Sequence, residues 1–276
     1  MPELPEVQTI TSDLNKHLKG LTFDQVETTA VVYASVAKCV GEKIENIRRI
    51  AKNIVFELES GRVLIVHLAM TGQLLVSDPK TCKLPWERIT FILSKGDKKI
   101  GLKFRDMRMF GKAIFGDKTL VENLLQKYGP EPLDQSFTPQ QFLTRLKSKK
   151  TTVKNALLDQ EIVSGLGNIY ATDALFMAKI HPLTLTTNLS PAQAETLLTC
   201  AKTILLEAIG HRGSTLEDKM YIDAYGKQGS HQNFFRIYGK KNCPKCNTNV
   251  EILKINGRGT YFCPTCQHEH KQLSFN

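Results

Sequence analysis

The N-terminal run Met1-Pro2-Glu3-Leu4-Pro5-Glu6-Val7 sets two groups with reactive chemistry side by side. Once the initiator methionine is removed, Pro2 becomes the terminus and carries a secondary amine. An α-amine titrates at about 7.7–8.0, against about 10.4 for a lysine ammonium, so it is partly neutral at physiological pH. Amines attack aldehydic sugar carbons and form Schiff bases, which splits one hard step into two easier ones. Glu3 beside it is a carboxylate placed for proton transfer. A Pro-Glu start also opens ordinary helices, so the rest of the chain decides whether the pair does chemistry.

Cys243, Cys246, Cys263 and Cys266 form C-x2-C-x16-C-x2-C, while Cys39, Cys82 and Cys200 are scattered. Two cysteine knuckles without secretory context read as a metal site rather than disulfides. Four thiolates fit the closed tetrahedral geometry of structural Zn2+ and leave no position for a catalytic water.

Further candidates bear on anion binding. Gly165-Leu166-Gly167-Asn168-Ile169-Tyr170 joins two helical segments, and its backbone amides converge where an anion would sit. Asn168 adds a side-chain donor, or serves as a simple N-cap. Gly257-Arg258-Gly259 reads as the tip of a β-hairpin, with the planar fork of Arg258 suited to phosphate or simply solvated. His67-Leu68-Ala69-Met70-Thr71-Gly72 and Asp106-Met107-Arg108-Met109-Phe110-Gly111 each end in glycine and set apolar beside polar residues. Met70 and Phe110 suit wedging between base steps and Arg108 the space of an extruded base, though Met and Phe are more often core. Arg48-Arg49-Ile50-Ala51-Lys52 is a basic cluster. Read as a charge run it is a solvated face, but a lysine beside an amine nucleophile helps keep that amine neutral and holds a phosphate.

These residues need a frame. Leu4, Val7, Ile10, Leu14 and Leu18 recur at helical spacing, with Pro5 in the first turn and Gly20 at the stop. Pro2 and Glu3 then sit just before a helix N-terminus, whose dipole disfavours protonating the amine. Strand-like segments follow to about residue 117. Ile54 to Leu58 and Arg62 to Leu68 flank one turn, Arg88 to Leu93 and Lys99 to Phe104 another, which predicts a β-sandwich with a flanking helix. Tyr128-Gly129-Pro130-Glu131-Pro132 breaks the pattern as a linker. Helices are predicted after a capping box at Thr138-Pro139-Gln140-Gln141, over Val153 to Gln160, over Asn168 to Ala178, and from Ser190-Pro191 onward. The expected division is 1–127 for the sandwich, 128–135 for the linker, 136–235 for the helical domain and 236–276 for the cysteine ribbon.

The 276 residues carry 37 Lys and Arg against 27 Asp and Glu, a net charge of +10 that favours a polyanionic partner. At 41% hydrophobic and 23% charged the chain has the composition of a soluble globular protein. No apolar run is long enough for a membrane span, and no signal peptide is visible at the start.

Taken together, the chain resembles the formamidopyrimidine-DNA glycosylases, relatives of endonuclease VIII, along nearly its whole length. The likeness rests on Pro2 to Val7, Lys52, His67 to Gly72, Arg108 with Phe110 and Gly111, Leu157 to Gln160, Gly165 to Tyr170 and the cysteine ribbon with Arg258. It implies an α+β multidomain fold: an N-terminal β-sandwich, a helix–two-turn–helix domain and a C-terminal zinc ribbon. It implies Pro2 as Schiff-base nucleophile, Glu3 as proton donor, Lys52 as proton donor for β-elimination and Glu6 as a supporting carboxylate. Arg258 would donate a proton for δ-elimination or contact phosphate. His67, Met70, Arg108, Phe110, Lys154, Gly167 and Asn168 would contact DNA, and Thr215, Tyr221 and Tyr225 would line or cap the lesion, the two tyrosines serving equally well as packing residues.

The implied partner is double-stranded DNA with oxidised bases or abasic sites, met by a cytoplasmic, nucleoid-associated monomer without membrane contact. Leu4 points to the purine-directed branch; an endonuclease VIII-like enzyme for oxidised pyrimidines and a non-catalytic damaged-DNA binder are the alternatives. Departures from the family pattern concentrate at His211 to Phe235, where Arg212-Gly213-Ser214-Thr215-Leu216 replaces a commoner Gly-Gly-Thr-Thr-Leu. There the family covers the extruded base, so lesion preference is what those changes put in question.

Overall fold

Leu4, Val7, Ile10, Leu14 and Leu18 form the buried face of helix α1 (Leu4–Leu18) in the computed structural model, which describes residues 1–268. The last part of the expected ribbon, 269–276, lies outside the described residues. Contacts divide the chain into two units, Met1–Gln126 with Ala208–Gln232, and Lys127–Glu207 with the residues from Asn233 onward.

The first unit is the expected sandwich. Its eight strands are β1 (Thr22–Thr28), β2 (Ile44–Ile50), β3 (Asn53–Leu58), β4 (Val63–His67), β5 (Gly72–Ser77), β6 (Glu87–Lys95), β7 (Lys98–Asp106) and β8 (Lys112–Gly116). They make two four-stranded antiparallel sheets, ordered β1-β6-β7-β5 and β2-β3-β4-β8. Alternating residues of both sheets, such as Phe23, Phe91 and Phe104 from one and Ile54, Phe56 and Leu64 from the other, share a single core with α1. Helix α2 (Thr119–Lys127) closes the continuous part of the unit.

The pattern did not reveal the 3-10 helix Val31–Cys39. Its buried residues Tyr33, Val36 and Cys39 recur every three positions, the repeat of a 3-10 helix, inside a valine-rich run that reads as strand.

The second unit holds α3 (Pro139–Lys147), α4 (Val153–Leu158), α5 (Asn168–Met177), most of α6 (Pro191–Gly210) and the hairpin β9 (Glu251–Ile255)–β10 (Arg258–Phe262). The capping box is in place: Gln141 N–H donates to Thr138 Oγ1 at 3.2 Å and Thr138 N–H to Gln141 Oε1 at 2.9 Å. Helix α4 ends two residues before the expected Gln160, because Asp159 turns extended and the Gln160 side chain instead receives Gly165 N–H and donates to Leu166 O.

Ala208–Gln232 was expected inside the helical domain but belongs to the first unit. Its bonds explain this: Val76 N–H donates to Ala224 O at 2.8 Å, Gln73 Nε2 to Met220 O at 3.1 Å and Ser214 N–H to Glu6 Oε1 at 2.8 Å. No described helix is long and apolar enough to cross a membrane.

Candidate functional site

The start of α1 is held by one carboxylate. Glu3 is the N-cap of α1 in extended conformation, and with Glu6 it forms a capping box. Glu3 N–H donates to Glu6 Oε2 at 2.8 Å, while the other Glu6 oxygen takes Ser214 N–H at 2.8 Å. Glu6 is 2% exposed and Glu3 3%. A buried carboxylate with two N–H donors of fixed direction cannot drift, so it locks the backbone one residue away from Pro2. Pro2 is buried beneath the exposed Met1.

Lys52 stands on a turn that sequence punctuation does not announce. Ala51 and Lys52 are the two-residue loop between the paired Ile50 and Asn53, with Ala51 at φ 52 where glycine or asparagine is usual. Arg49 fixes this turn: its Nε donates to Gln8 Oε1 of α1 at 2.9 Å and its Nη1 to Ala51 O at 2.8 Å. Lys52 is buried, so the basic cluster is not a solvated face. His67 joins it: its Nδ1 lies 3.1 Å from both Lys52 O and Asn53 Oδ1, two acceptors that assign the ring proton to Nδ1.

Met70, Arg108 and Phe110 come together as exposed neighbours rather than core. Phe110 is 54% and Met70 42% exposed. The Arg108 guanidinium carbon lies 4.8 Å from the Phe110 ring centroid, and Arg108 Nη1 lies 3.6 Å from Met70 Sδ. Asp106 organises both loops, a role the sequence did not disclose. Its Oδ1 takes the Thr71 hydroxyl in a short bond and Arg108 N–H, and its Oδ2 takes Gly111 N–H at 2.7 Å. A Cβ at Gly111 would stand 2.7 Å from Phe104 and 2.9 Å from Asp106, which explains that glycine.

In the second unit, α5 starts from Gly167, and Asn168 is its first residue rather than its cap. Asn168 Nδ2 donates to Gly259 O at 2.9 Å, which ties the helix start to strand β10 beside Arg258. The hairpin turn is Asn256-Gly257, with φ 47 and 73, the left-handed pair that matches strand twist. Arg258 is therefore the first residue of β10, and exposed. Lys154, an expected DNA contact, instead meets α5 from the interior. It is fully buried, with Nζ donating to Asn168 O at 3.0 Å and Thr172 Oγ1 at 2.5 Å, so it braces the first turn of α5 from beneath.

Asp173 is a second residue the sequence underrated. Its carboxylate takes the N–H groups of Arg236, Ile237 and Tyr238 at 2.8–2.9 Å, pinning the entry to the ribbon onto α5. Burial pushes its pKa up while the three donors pull it down.

The four cysteine sulfurs lie within 4.8 Å of one another. Cys243 and Cys266 Sγ are 3.8 Å apart, Cys246 and Cys263 3.4 Å, and Cys246 and Cys266 3.5 Å. A tetrahedral zinc with bonds of about 2.3 Å separates its sulfurs by about 3.8 Å, so the donor set fits Zn2+. Lys245 N–H donates to Cys243 Sγ and Cys266 N–H to Cys263 Sγ, as thiolate ligands invite.

The lesion candidates divide. Thr215 is buried, donates to Tyr221 O and receives Gly229 N–H. Tyr221 is buried with its hydroxyl on Arg212 O at 2.8 Å, and burial pushes its pKa well up. Both act as scaffold of the segment. Tyr225 is 40% exposed and lies edge-on to His17, with ring centroids 5.3 Å apart.

Residues 1–113 match the family described as formamidopyrimidine-DNA glycosylase N-terminal domain, residues 128–220 the formamidopyrimidine-DNA glycosylase H2TH domain, and residues 240–268 the zinc finger found in FPG and IleRS. The chain is 38% identical over 276 residues to a formamidopyrimidine-DNA glycosylase of Chloroflexus aurantiacus, covering 97% of this chain and 98% of that one. It is 35% identical over 274 residues to one of Aliivibrio fischeri, covering 97% and 98%. A Lactococcus lactis FPG mutant in complex with Fapy-dG-containing DNA superposes with a TM-score of 0.88 at 32% identity, over 97% of this chain and 100% of that one. The MutM (FPG) protein of Thermus thermophilus gives 0.87 at 36% identity, over 98% and 100%.

Proposed function

The chain belongs to the formamidopyrimidine-DNA glycosylase family, and from that premise we propose that it is a bifunctional DNA glycosylase and abasic-site lyase of base excision repair for oxidised purines. The observation that carries the reading is the Glu6 carboxylate, bound by Glu3 N–H on one oxygen and Ser214 N–H on the other. It presents the residue before Glu3 as a fixed end, which is what a nucleophile at that end needs.

In this reading the Pro2 amine, freed of Met1, attacks the sugar C1′ as the bond from C1′ to the base breaks. The departing base takes a proton, the C1′–O4′ bond then opens as O4′ takes a proton, and the iminium so formed joins the Pro2 nitrogen to C1′. Loss of the 2′ proton expels the 3′ phosphate, and a second elimination expels the 5′ phosphate. Glu3 serves the proton transfers at the sugar and Lys52 those of the first elimination. Met70, Arg108 and Phe110 fill the space of the extruded nucleotide. The +10 net charge suits a duplex, and the site of work is then chromosomal DNA. Zn2+ held by Cys243, Cys246, Cys263 and Cys266 supports the hairpin that carries Arg258 and takes no part in the chemistry.

Arg258 and Asn168 are assigned to phosphates, which position the duplex and carry no base identity. Arg258→Ala is expected to weaken binding to every lesion duplex about 10–100-fold, as loss of one charge-assisted hydrogen bond of about 1.5–3 kcal/mol does. The salt dependence of log K should flatten by about one unit. Loss confined to one lesion type, read by binding titrations over a salt series, would overturn the assignment.

Lesion choice is tested by single-turnover rates on formamidopyrimidine, 8-oxoguanine, dihydrouracil and plain abasic duplexes. A ring-opened base pairs weakly, so its extrusion costs less than that of 8-oxoguanine. Formamidopyrimidine is therefore expected to be released faster than 8-oxoguanine, and both faster than dihydrouracil. Dihydrouracil released well ahead of both purines would move the protein to the endonuclease VIII-like reading.

A further inference from the structure

We propose that Arg212 is a positioning residue for base release, a latch that holds the Ala208–Gln232 segment on α1 and so keeps its exposed tip beside the reactive terminus. The proposal rests on the glycosylase reading above.

Arg212 sits at φ 61, a left-handed conformation unusual for a residue with a side chain. Something must hold it there, and the side chain shows what. Arg212 Nη2 donates to Asp13 Oδ2 at 2.5 Å and to Asp223 Oδ2 at 2.6 Å, and Nε reaches Asp223 Oδ2 at 3.0 Å. Asp13 belongs to α1; Asp223 is fully buried, and its other oxygen takes the N–H groups of Tyr225 and Lys227 at 2.9 Å. One guanidinium thus joins the catalytic helix to the turn that closes the segment.

The attachment runs along one face of α1. Glu6 takes Ser214 N–H, Thr9 meets the Tyr221 hydroxyl, and Asp13 takes Arg212. Positions 6, 9 and 13 lie on the same helix face. At Gly213 the segment's backbone lies against Glu6 itself: a Cβ there would stand 2.9 Å from Glu6 Cγ and Oε1. Thr215 Oγ1 then donates to Tyr221 O at 2.9 Å and pinches off the intervening tip, in which Glu217, Asp218 and Lys219 are exposed. This tip is rooted one carboxylate away from Glu3 N–H, which places it to touch whatever base is being released from the sugar under attack.

Without the guanidinium, two carboxylates whose oxygens now share one nitrogen would face each other across the joint. Like charges at that distance repel, so Arg212→Gln should lift the segment off α1 rather than merely loosen it. An abasic sugar has no base for the tip to touch, so strand cleavage at an abasic site should not need the latch.

The test compares two reactions of each variant under single-turnover conditions. Arg212→Gln is expected to release formamidopyrimidine about 10²-fold more slowly, the scale of a misplacement of about 1 Å. The same protein should cleave an abasic duplex within about threefold of wild type. Adding Asp13→Asn to Arg212→Gln removes one of the opposed charges and should restore part of the lost rate, a rescue that simple loss of packing would not give. Should Arg212→Gln fail to fold, Arg212→Lys keeps the charge with a single contact and is expected to show a smaller loss with the same split. Equal losses on both substrates, or no loss on either, would overturn the latch. Wild type that cleaves abasic DNA yet releases no purine lesion would overturn the glycosylase reading instead.

Discussion

Protein that retains Met1, or carries any N-terminal tag, is expected to give no borohydride-trapped adduct with lesion DNA. In that form the Pro2 nitrogen is a tertiary amide, without a lone pair for attack. The expected loss is at least three decades in rate, equivalent to about 4 kcal/mol of barrier. A buried lysine is the poor substitute here. An ordinary lysine ammonium titrates at about 10.4 and an α-amine at about 7.7–8.0, so the terminal amine is the group whose neutral form is ordinarily present at physiological pH. Mass spectrometry of the purified chain and the trapping yield on an abasic duplex should therefore vary together across preparations. Tagged protein that cross-links at full yield would relocate the nucleophile, with Lys52 the first place to look.

Cys243→Ser is expected to leave the protein without zinc by elemental analysis and to reduce DNA binding by more than Arg258→Ala does. The β9–β10 hairpin has only two strands, and such a hairpin alone is marginal in water. Beside it Phe176, Ile237, Cys243 and Cys263 make a small buried cluster, with Val250, Tyr261 and Cys266 packed against it and Gln267 Nε2 donating to Ile180 O at 2.9 Å. Structural zinc sites contribute roughly 10–16 kcal/mol in isolated finger peptides, so the metal outweighs anything that cluster supplies. Without it the ribbon loses its fold, and with it the hold of Asn168 Nδ2 on Gly259 O. Full binding by a zinc-free Cys243→Ser protein would show that the hairpin stands on its own.

What could be read beforehand follows from how local each signal is. Pro5 and Gly20 punctuate α1, and its boundaries came out as expected. The cysteine spacing named its metal because ligand geometry is encoded in a few adjacent residues. The Ala51-Lys52 turn escaped notice because alanine is not a turn residue; Arg49, bonded to both α1 and the turn, holds it in that shape. Asp106 and Asp173 look like ordinary acids in sequence, and their work is visible only once the N–H groups they collect are folded around them. The return of Ala208–Gln232 to the first unit was the least legible feature. It depends on Glu6 meeting Ser214, two residues far apart in the chain whose types suggest nothing about each other.

That discontinuous first unit has a consequence for how the protein is made. Translation delivers Met1–Gln126 first, but the piece that completes the unit ends at Gln232. At roughly 5–20 residues per second the intervening hundred or so residues take about 5–20 s to emerge. For that interval the nascent sandwich holds a buried-type carboxylate, Glu6, whose N–H donor at Ser214 is still unsynthesised. A ribosome-bound chain stopped before Ser214 should therefore have a loosely held start to its first helix, and the N-terminal turn would become ordered only as the protein nears release.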